Sequence, residues 1–336
     1  MMPANTAPPL LEVQNLRVQL RTPRGLVDAV RDVSFVLQQG DTLGLVGESG
    51  CGKSLTALAL MGLLPESAQV SGSIRLQGQE LIGLDDPALC RIRGNRIAMV
   101  FQEPMTALNP VHRIGHQVAE PLRRHQGLGA AAARAEALAL LERVGIPQAA
   151  QRLDQYPHQF SGGQRQRITI AMALACKPAL LLADEPTTAL DVTVQRQILE
   201  LIQGLVEEHH MGLLLISHDL GLIARNTARL LVMYGGSVVE SGPTAAVLQA
   251  AAHPYTRGLL AARPRLQPHA QGEVQRLPTI AGTVPELADL PPGCPFAGRC
   301  SWTLAHCHTE HPPSVPQATP AHSARCLRPE AMGERP

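Results

Sequence analysis

Residues 47–54 read GESGCGKS and fill every position of the pattern G-x-x-x-x-G-K-[ST]. An apolar run, residues 42–46, leads straight into Gly47, and a helical pattern begins at Lys53. This constrains the fold more than any other feature of the chain. The glycines let the backbone curl so that successive N–H groups face one anion at a helix N-terminus. Such a loop needs a strand on one side and a helix on the other. The phosphate-binding set is therefore Gly47, Glu48, Ser49, Gly50, Cys51, Gly52, Lys53 and Ser54. Lys53 is placed to reach the β- and γ-phosphates of a nucleotide, and the Ser54 hydroxyl to bind Mg²⁺. A ligand-free glycine-rich turn is the bland alternative; the full match and its strand-to-helix setting weigh against it. Cys51 reads either as a small residue tolerated in the loop or as a thiol-sensitive point.

Apolar strands and helices alternate through most of the chain. Strands are predicted at residues 11–18, 30–37, 42–46, 97–101, 179–183, 213–217 and 229–234. Helices are predicted at 53–63, 114–145, 163–176 and about 192–209, with Gly145-Ile146-Pro147 as a stop signal. That order implies an α/β fold with a mostly parallel sheet of the P-loop NTPase kind. An antiparallel β subdomain is expected at the N-terminus, and a helical lobe inserted at about 104–165. Residues 253–336 hold half of the chain's 28 prolines, which oppose helices and central strands. They are expected to form a loop-rich extension with little core. The division is thus 1–252 for the nucleotide-binding domain and 253–336 for the extension.

Composition excludes several classes. Net charge is +1 with no long basic run, which argues against nucleic acid as a partner. No stretch approaches the ~18 apolar residues of a membrane span, and the first residues, MMPANTAPPL, lack the pattern of a secretory signal. The expectation is a cytosolic chain able to dock on a membrane protein. Aromatic residues are scarce, so the core must be aliphatic.

Further residues carry chemistry. Asp184-Glu185 ends an apolar strand, the edge at which α/β sheets bind ligands. Asp184 can hold Mg²⁺ through its waters, and Glu185 can serve as general base toward an attacking water. His218 follows the strand in LLLISHD and can stabilise charge on the γ-phosphate; Gln102 follows IAMVF and can ligate Mg²⁺ or the attacking water. For both, a structural role is the commoner alternative. Phe160-Ser161-Gly162-Gly163-Gln164 opens a helix and makes a second anion cradle. One phosphate chain seldom needs two cradles from one subunit, so a second subunit is the simpler user.

Together these residues resemble the ATP-binding cassette (ABC) ATPases, motif by motif and in family order over residues 11–250: Walker A 47–54, Q-loop Gln102, signature 160–164, Walker B 180–185, D-loop Ala189-Leu190-Asp191 and switch His218. The resemblance implies a head-to-tail dimer in which Ser161, Gly162, Gly163 and Gln164 cap ATP on a partner. MVFQEPMTALNP (99–110), LDVTVQRQIL (190–199), HPYTRGLL (253–260), PTIAGTVP (278–285) and GCPFAGRC (293–300) resemble the dipeptide/oligopeptide importer branch, with subunits of the DppD/OppD type. There the resemblance implies a second, related ATPase as a heterodimer partner, two integral-membrane permeases, an extracytoplasmic peptide-binding protein, and a place on the cytoplasmic face of the inner (plasma) membrane. Another solute, such as a nickel complex, glutathione or another peptide-like compound, stays open, as does, at a much lower weight, a non-transport ABC protein. One departure stands out: ABC ATPases usually stack adenine on an aromatic residue upstream of Walker A, and residues 20–30 contain none. Leu26 or Val27 is the substitute on offer.

Four of seven cysteines, Cys294, Cys300, Cys307 and Cys326, crowd the extension. In a reducing compartment such clusters favour metal over disulfides. The wide spacing without C-x2–4-C knuckles suits a [4Fe–4S] cluster better than tetrahedral zinc, and the resembled branch includes members with such a cluster. Nearby His306, His308, His311 and His322 keep zinc open, and unligated thiols are the remaining option.

Overall fold

A computed structural model describes residues 8–188, 190–263 and 278–328. The chain begins with a hairpin, β1 (Leu11–Thr22) and β2 (Gly25–Leu37). Leu11, Val13, Leu16 and Val18 of β1 are buried, and β1 pairs antiparallel with both β2 and β4 (Gln69–Leu76). With β5 (Gln79–Glu80) these make a four-stranded antiparallel sheet in the order β2-β1-β4-β5. This is the expected N-terminal subdomain, although β4 and β5 carry no strong apolar alternation and the sequence reading passed over them.

The second sheet has eight strands. Five are parallel: β9 (Arg229–Tyr234), β3 (Thr42–Val46), β8 (Gly212–Ser217), β7 (Leu180–Asp184) and β6 (Ile97–Val100), adjacent in that order. β7 and β8 are buried along their whole length, as strands covered on both faces must be. That explains why they read as unbroken apolar runs. Because the strands are parallel, the carboxyl ends of β3, β6, β7 and β8 share one edge. The phosphate loop, Gln102, Glu185 and His218 all follow those ends. Burying this aliphatic core contributes about 25 cal/mol for each Å² of apolar surface removed from water.

The stretch 114–145 divides into two helices, Ile114–Gln126 and Ala130–Arg143. The break is at Gly127, whose left-handed φ of 67° ends the first helix while its N–H bonds the Leu122 carbonyl. Against these packs the helix Gly162–Leu174, which the signature residues open.

The extension departs from the loop-rich expectation in two respects. β12 (Ser323–Arg325) pairs antiparallel with β10 (Ser237–Pro243), and β11 (Ser314–Pro316) pairs antiparallel with β12, so together they lengthen the main sheet. Their shortness and flanking prolines hid them, and Pro316 is tolerated because β11 is the edge strand. Second, Phe296 is buried in the main core, its ring 5.1 Å from Tyr234 and 5.4 Å from Tyr255. Three of the chain's few aromatic rings thus gather where the extension meets the sheet. Glu240 fastens the same seam. It is fully buried, meets His322 Nε2 at 2.8 Å, and accepts the N–H groups of Ala252 at 2.7 Å and His253 at 2.9 Å. A buried carboxylate so supplied with donors is compatible with a folded interior.

Candidate active site

The phosphate loop leaves β3 and ends in the helix Lys53–Met61. Two of its glycines are dictated by space. A Cβ on Gly47 would lie 2.2 Å from the Met233 carbonyl oxygen; at Gly52 the backbone is left-handed (φ 101°) and a Cβ would meet the Ala29 oxygen at 2.7 Å. Lys53 is almost wholly buried, its ammonium donating to the carbonyls of Gly47 (2.9 Å) and Glu48 (3.0 Å). The Cys51 side chain is also buried, and burial raises its thiol pKa. It turns into the core, leaving only its backbone to the loop.

A cavity of about 660 Å³ opens over this loop, with Gly47 to Gly50 and Gly52 to Leu55 on one side. Gln102, Glu185, Thr188 and His218 stand on the other. Glu185 is the hub of that wall. Its Oε1 lies 3.1 Å from His218 Nδ1, and its Oε2 accepts from Gln102 Nε2 at 3.2 Å and from the Thr188 hydroxyl at 2.9 Å. Glu185 also has φ 45°, in the left-handed region, and its N–H is held by the Ile216 carbonyl at 3.0 Å. Strain of this kind costs about 1–3 kcal/mol and collects at functional sites. Three residues from three separate strand ends therefore meet in one hydrogen-bonded group facing the phosphate loop. Thr188 was not singled out from sequence; a threonine three residues beyond Asp-Glu carries no signal on its own.

Asp184 lies behind this wall, almost fully buried. Burial pushes its carboxyl pKa up, while a hydrogen bond with the Ser54 hydroxyl pulls it down. Its Oδ1 has no hydrogen-bond partner among the described residues. A buried carboxylate oxygen left without a partner, beside a serine hydroxyl and a phosphate loop, fits a hydrated Mg²⁺ that takes few protein ligands.

The signature residues stand apart from this cavity. Ser161 caps the helix Gly162–Leu174: its hydroxyl accepts the Gln164 N–H at 3.4 Å, and Gln164 Oε1 takes the Ser161 N–H at 3.2 Å. Asp191 caps the helix Val192–Glu208 by accepting two N–H groups, each at 3.0 Å. Its neighbour Ala189 lies outside the described residues.

The extension reaches the phosphate loop directly. Arg299 forms a two-pronged ion pair with Glu48, at 2.6 and 3.1 Å, and the Tyr255 hydroxyl accepts the Glu48 N–H at 2.8 Å. The Arg299 side chain is only 5% exposed, so this pair is shielded from water. Leu259 lines the nucleotide cavity itself. None of these was foreseen, because nothing in the sequence ties residues 255–299 to position 48.

Cys294, Cys300, Cys307 and Cys326 line one small, apolar cavity beside Phe296 and Trp302. Burial, with neighbouring sulfurs adding to it, pushes the Cys294 thiol up to about 12. Among the described residues no three or more His, Cys, Asp or Glu side chains stand close enough to hold a single metal ion.

Comparison with known proteins gives the family. The family described as ABC transporter matches residues 30–188, and that described as oligopeptide/dipeptide transporter, C-terminal region, matches residues 239–307. A putative peptide import ATP-binding protein of Brucella melitensis is 50% identical over 331 residues, covering 95% of this chain and 97% of its own. One of Brucella abortus is 51% identical over 319 residues, covering 95% and 94%. Among solved structures, the dimeric ATP-binding cassette MJ0796 in a post-hydrolysis state with ADP and Pi superposes with TM-score 0.63 at 28% identity. It covers 70% of this chain and 98% of that one. With cbiO1 from Clostridium perfringens the TM-score is 0.60 at 24% identity, over 72% and 91% of the two chains, a likeness of fold alone. No helix among the described residues is long and apolar enough to cross a membrane. On identity across nearly its whole length, and with a phosphate loop facing a held carboxylate, this chain belongs to the ABC family of ATP-binding cassette ATPases, in the group that carries the oligopeptide/dipeptide transporter C-terminal region.

Proposed function

We propose that this chain hydrolyses ATP to power the import of di- or oligopeptides through membrane permeases. The observation that carries the hydrolytic part is the Glu185 group. A carboxylate tied to His218, Gln102 and Thr188 faces the phosphate loop across one cavity. In this reading the N–H groups from Gly50 to Ser54 and the Lys53 ammonium grip the β- and γ-phosphates. The Ser54 hydroxyl and the Asp184 carboxylate, with Gln102, would hold Mg²⁺, which would neutralise phosphate charge. Glu185 accepts a proton from the attacking water, and Gln102 and His218 keep its two oxygens aimed. His218 then donates toward the γ-phosphate as charge develops there. The peptide solute is supported by the names of relatives at half identity over nearly the full length.

Because Ser161, Gly162, Gly163 and Gln164 stand away from this chain's own nucleotide cavity, they serve ATP held by a second ATPase subunit, a related but distinct chain. The dimeric neighbour fits that arrangement. The pair works beneath two permeases at the cytoplasmic face of the membrane and draws peptide from an extracytoplasmic binding protein. The division at residue 252 then separates an ATP-driven engine from an extension that braces it.

For the extension we propose a [4Fe–4S] cluster held by Cys294, Cys300, Cys307 and Cys326. The support is that the four thiols line one small cavity, and that their wide spacing lacks the C-x2–4-C knuckles usual for zinc. The cluster would cross-link a segment short of core.

Glu185→Gln tests the engine. It should lower kcat by about 10²-fold or more while ATP binding persists; undiminished turnover rejects Glu185 as the base. Iron, acid-labile sulfide and visible absorbance after anaerobic purification test the cluster, and a colourless, zinc-loaded chain rejects it.

A further inference from the structure

The nucleotide cavity has an apolar annex. A second cavity, of about 570 Å³, lies against the first, and the two share Ser49 and Gly50 of the phosphate loop. Its size falls in the range of small-ligand sites. Leu20 and Val27 of the N-terminal hairpin form one wall. Val284, Pro285 and Leu287 of the extension form the other. The walls are fastened together at the rim: Arg24 Nη1 meets Asp289 at 2.9 Å and Glu286 at 3.6 Å, and Arg31 Nη2 reaches the Leu287 carbonyl at 3.4 Å.

A nucleoside triphosphate has a charged end and a flat, largely apolar end, joined by a sugar. The first cavity offers backbone N–H groups and a lysine; the second offers aliphatic side chains and a proline. They meet at Ser49 and Gly50, where a sugar bridging the two would lie. The aromatic residue that would ordinarily stack on the base is missing from residues 20–30. Leu26, one of two substitutes considered, is 48% exposed and outside the lining; Val27 is buried and within it.

We propose that the adenine of ATP is held between the N-terminal hairpin and residues 284–288 of the extension, so that the extension completes the nucleotide site of its own chain. Val284, Pro285 and Leu287 replace aromatic stacking by closing an aliphatic slot over the base. The inference rests on the ATPase reading and deepens it. It also gives the extension a role distinct from any metal it carries.

The test separates base from phosphate. Dissociation constants of ATP and of inorganic tripolyphosphate, both with Mg²⁺, are measured for the unaltered chain and for Leu287→Asp and Val284→Asp. A carboxylate in the slot should weaken ATP about tenfold or more and leave tripolyphosphate unchanged. Lys53→Ala, in contrast, should weaken both. Should an aspartate disturb the extension, photolabelling of the unaltered chain with 8-azido-ATP gives an independent reading: the label should map to residues 20–27 or 284–288. Unchanged ATP affinity in both variants, an equal loss for both ligands, or label outside those two segments overturns the proposal. Failure of the unaltered chain to bind either ligand overturns the nucleotide reading itself, and this inference with it.

Discussion

Arg299 and Glu48 show how much one pair can link. Glu48 sits in the phosphate loop, and Arg299 lies in the extension one residue before Cys300. Both prongs of the guanidinium are engaged, and the Tyr255 hydroxyl accepts the N–H of the same loop residue. Arg299→Ala should leave the carboxylate unpaired and loosen the loop. Because hydrogen bonds to charged groups contribute about 1.5–3 kcal/mol, KM for ATP should rise about tenfold. The effect on kcat should be smaller, since Arg299 faces neither Glu185 nor His218. Arg299→Lys should recover only part of the loss, because an ammonium cannot make the two-pronged contact. Steady-state kinetics on the three proteins checks this; an unchanged KM in the alanine variant would show the pair to be idle. Position 48 is one of the variable positions of the loop motif, so the sequence marks it as phosphate-loop backbone and is silent on its side chain. The catalytic group was more legible. Gln102, Glu185 and His218 each follow an unbroken apolar run, and parallel pairing forces the ends of such runs to one edge. The hydrogen bond from Thr188 to Glu185 spans a turn in which Glu185 is left-handed, a conformation that no propensity announces.

At the scale of elements, the seam between β10, β12 and the helix Pro254–Ala261 decides whether the extension stays attached. Glu240 serves three donors there. Glu240→Ala would strand His322 and two backbone N–H groups in the interior, and removing one partner of a buried pair costs about 3–5 kcal/mol. Thermal denaturation should show a correspondingly lower midpoint, together with earlier proteolysis after residue 252. His253 adds a pH dependence to the same seam. It is fully buried, its Nδ1 accepts the Tyr255 N–H at 3.1 Å, and burial lowers its pKa to about 3. An exposed imidazole titrates near ~6.5, so the unfolded chain binds a proton that the folded chain refuses. Stability from this group is complete above ~6.5 and drains as pH falls toward 3. His253→Asn keeps a cap acceptor and should flatten that acid limb in melts at neutral pH and at about pH 5. β12 of this seam, and β11 beside it, escaped the sequence reading because each is three residues long, too short for periodicity. The main parallel strands were legible for the opposite reason: burial on both faces leaves no polar residue to interrupt them.

At the scale of the molecule, the described part of the extension meets the engine at the Glu240 seam, the Arg299–Glu48 and Arg325–Asp32 pairs, the Phe296–Tyr234 ring contact, and the slot walled by Val284 and Leu287. Composition alone portrayed it as a proline-rich appendage. Its contacts depend on pairings between residues as much as 293 positions apart, such as Asp32 with Arg325, and no local signal encodes those. The partner that caps the nucleotide is equally invisible in one chain, except through Ser161 to Gln164, which cap their helix but face no nucleotide of their own. In the proposed function the chain is one of two ATPase subunits that drive a peptide importer. The most direct measurement is uptake of a labelled dipeptide by cells lacking the chain, supplied either with it or with Glu185→Gln at equal abundance. Uptake should return with the unaltered chain and stay at the background level with Glu185→Gln. Uptake restored by Glu185→Gln, or uptake indifferent to the presence of the chain, would contradict the account.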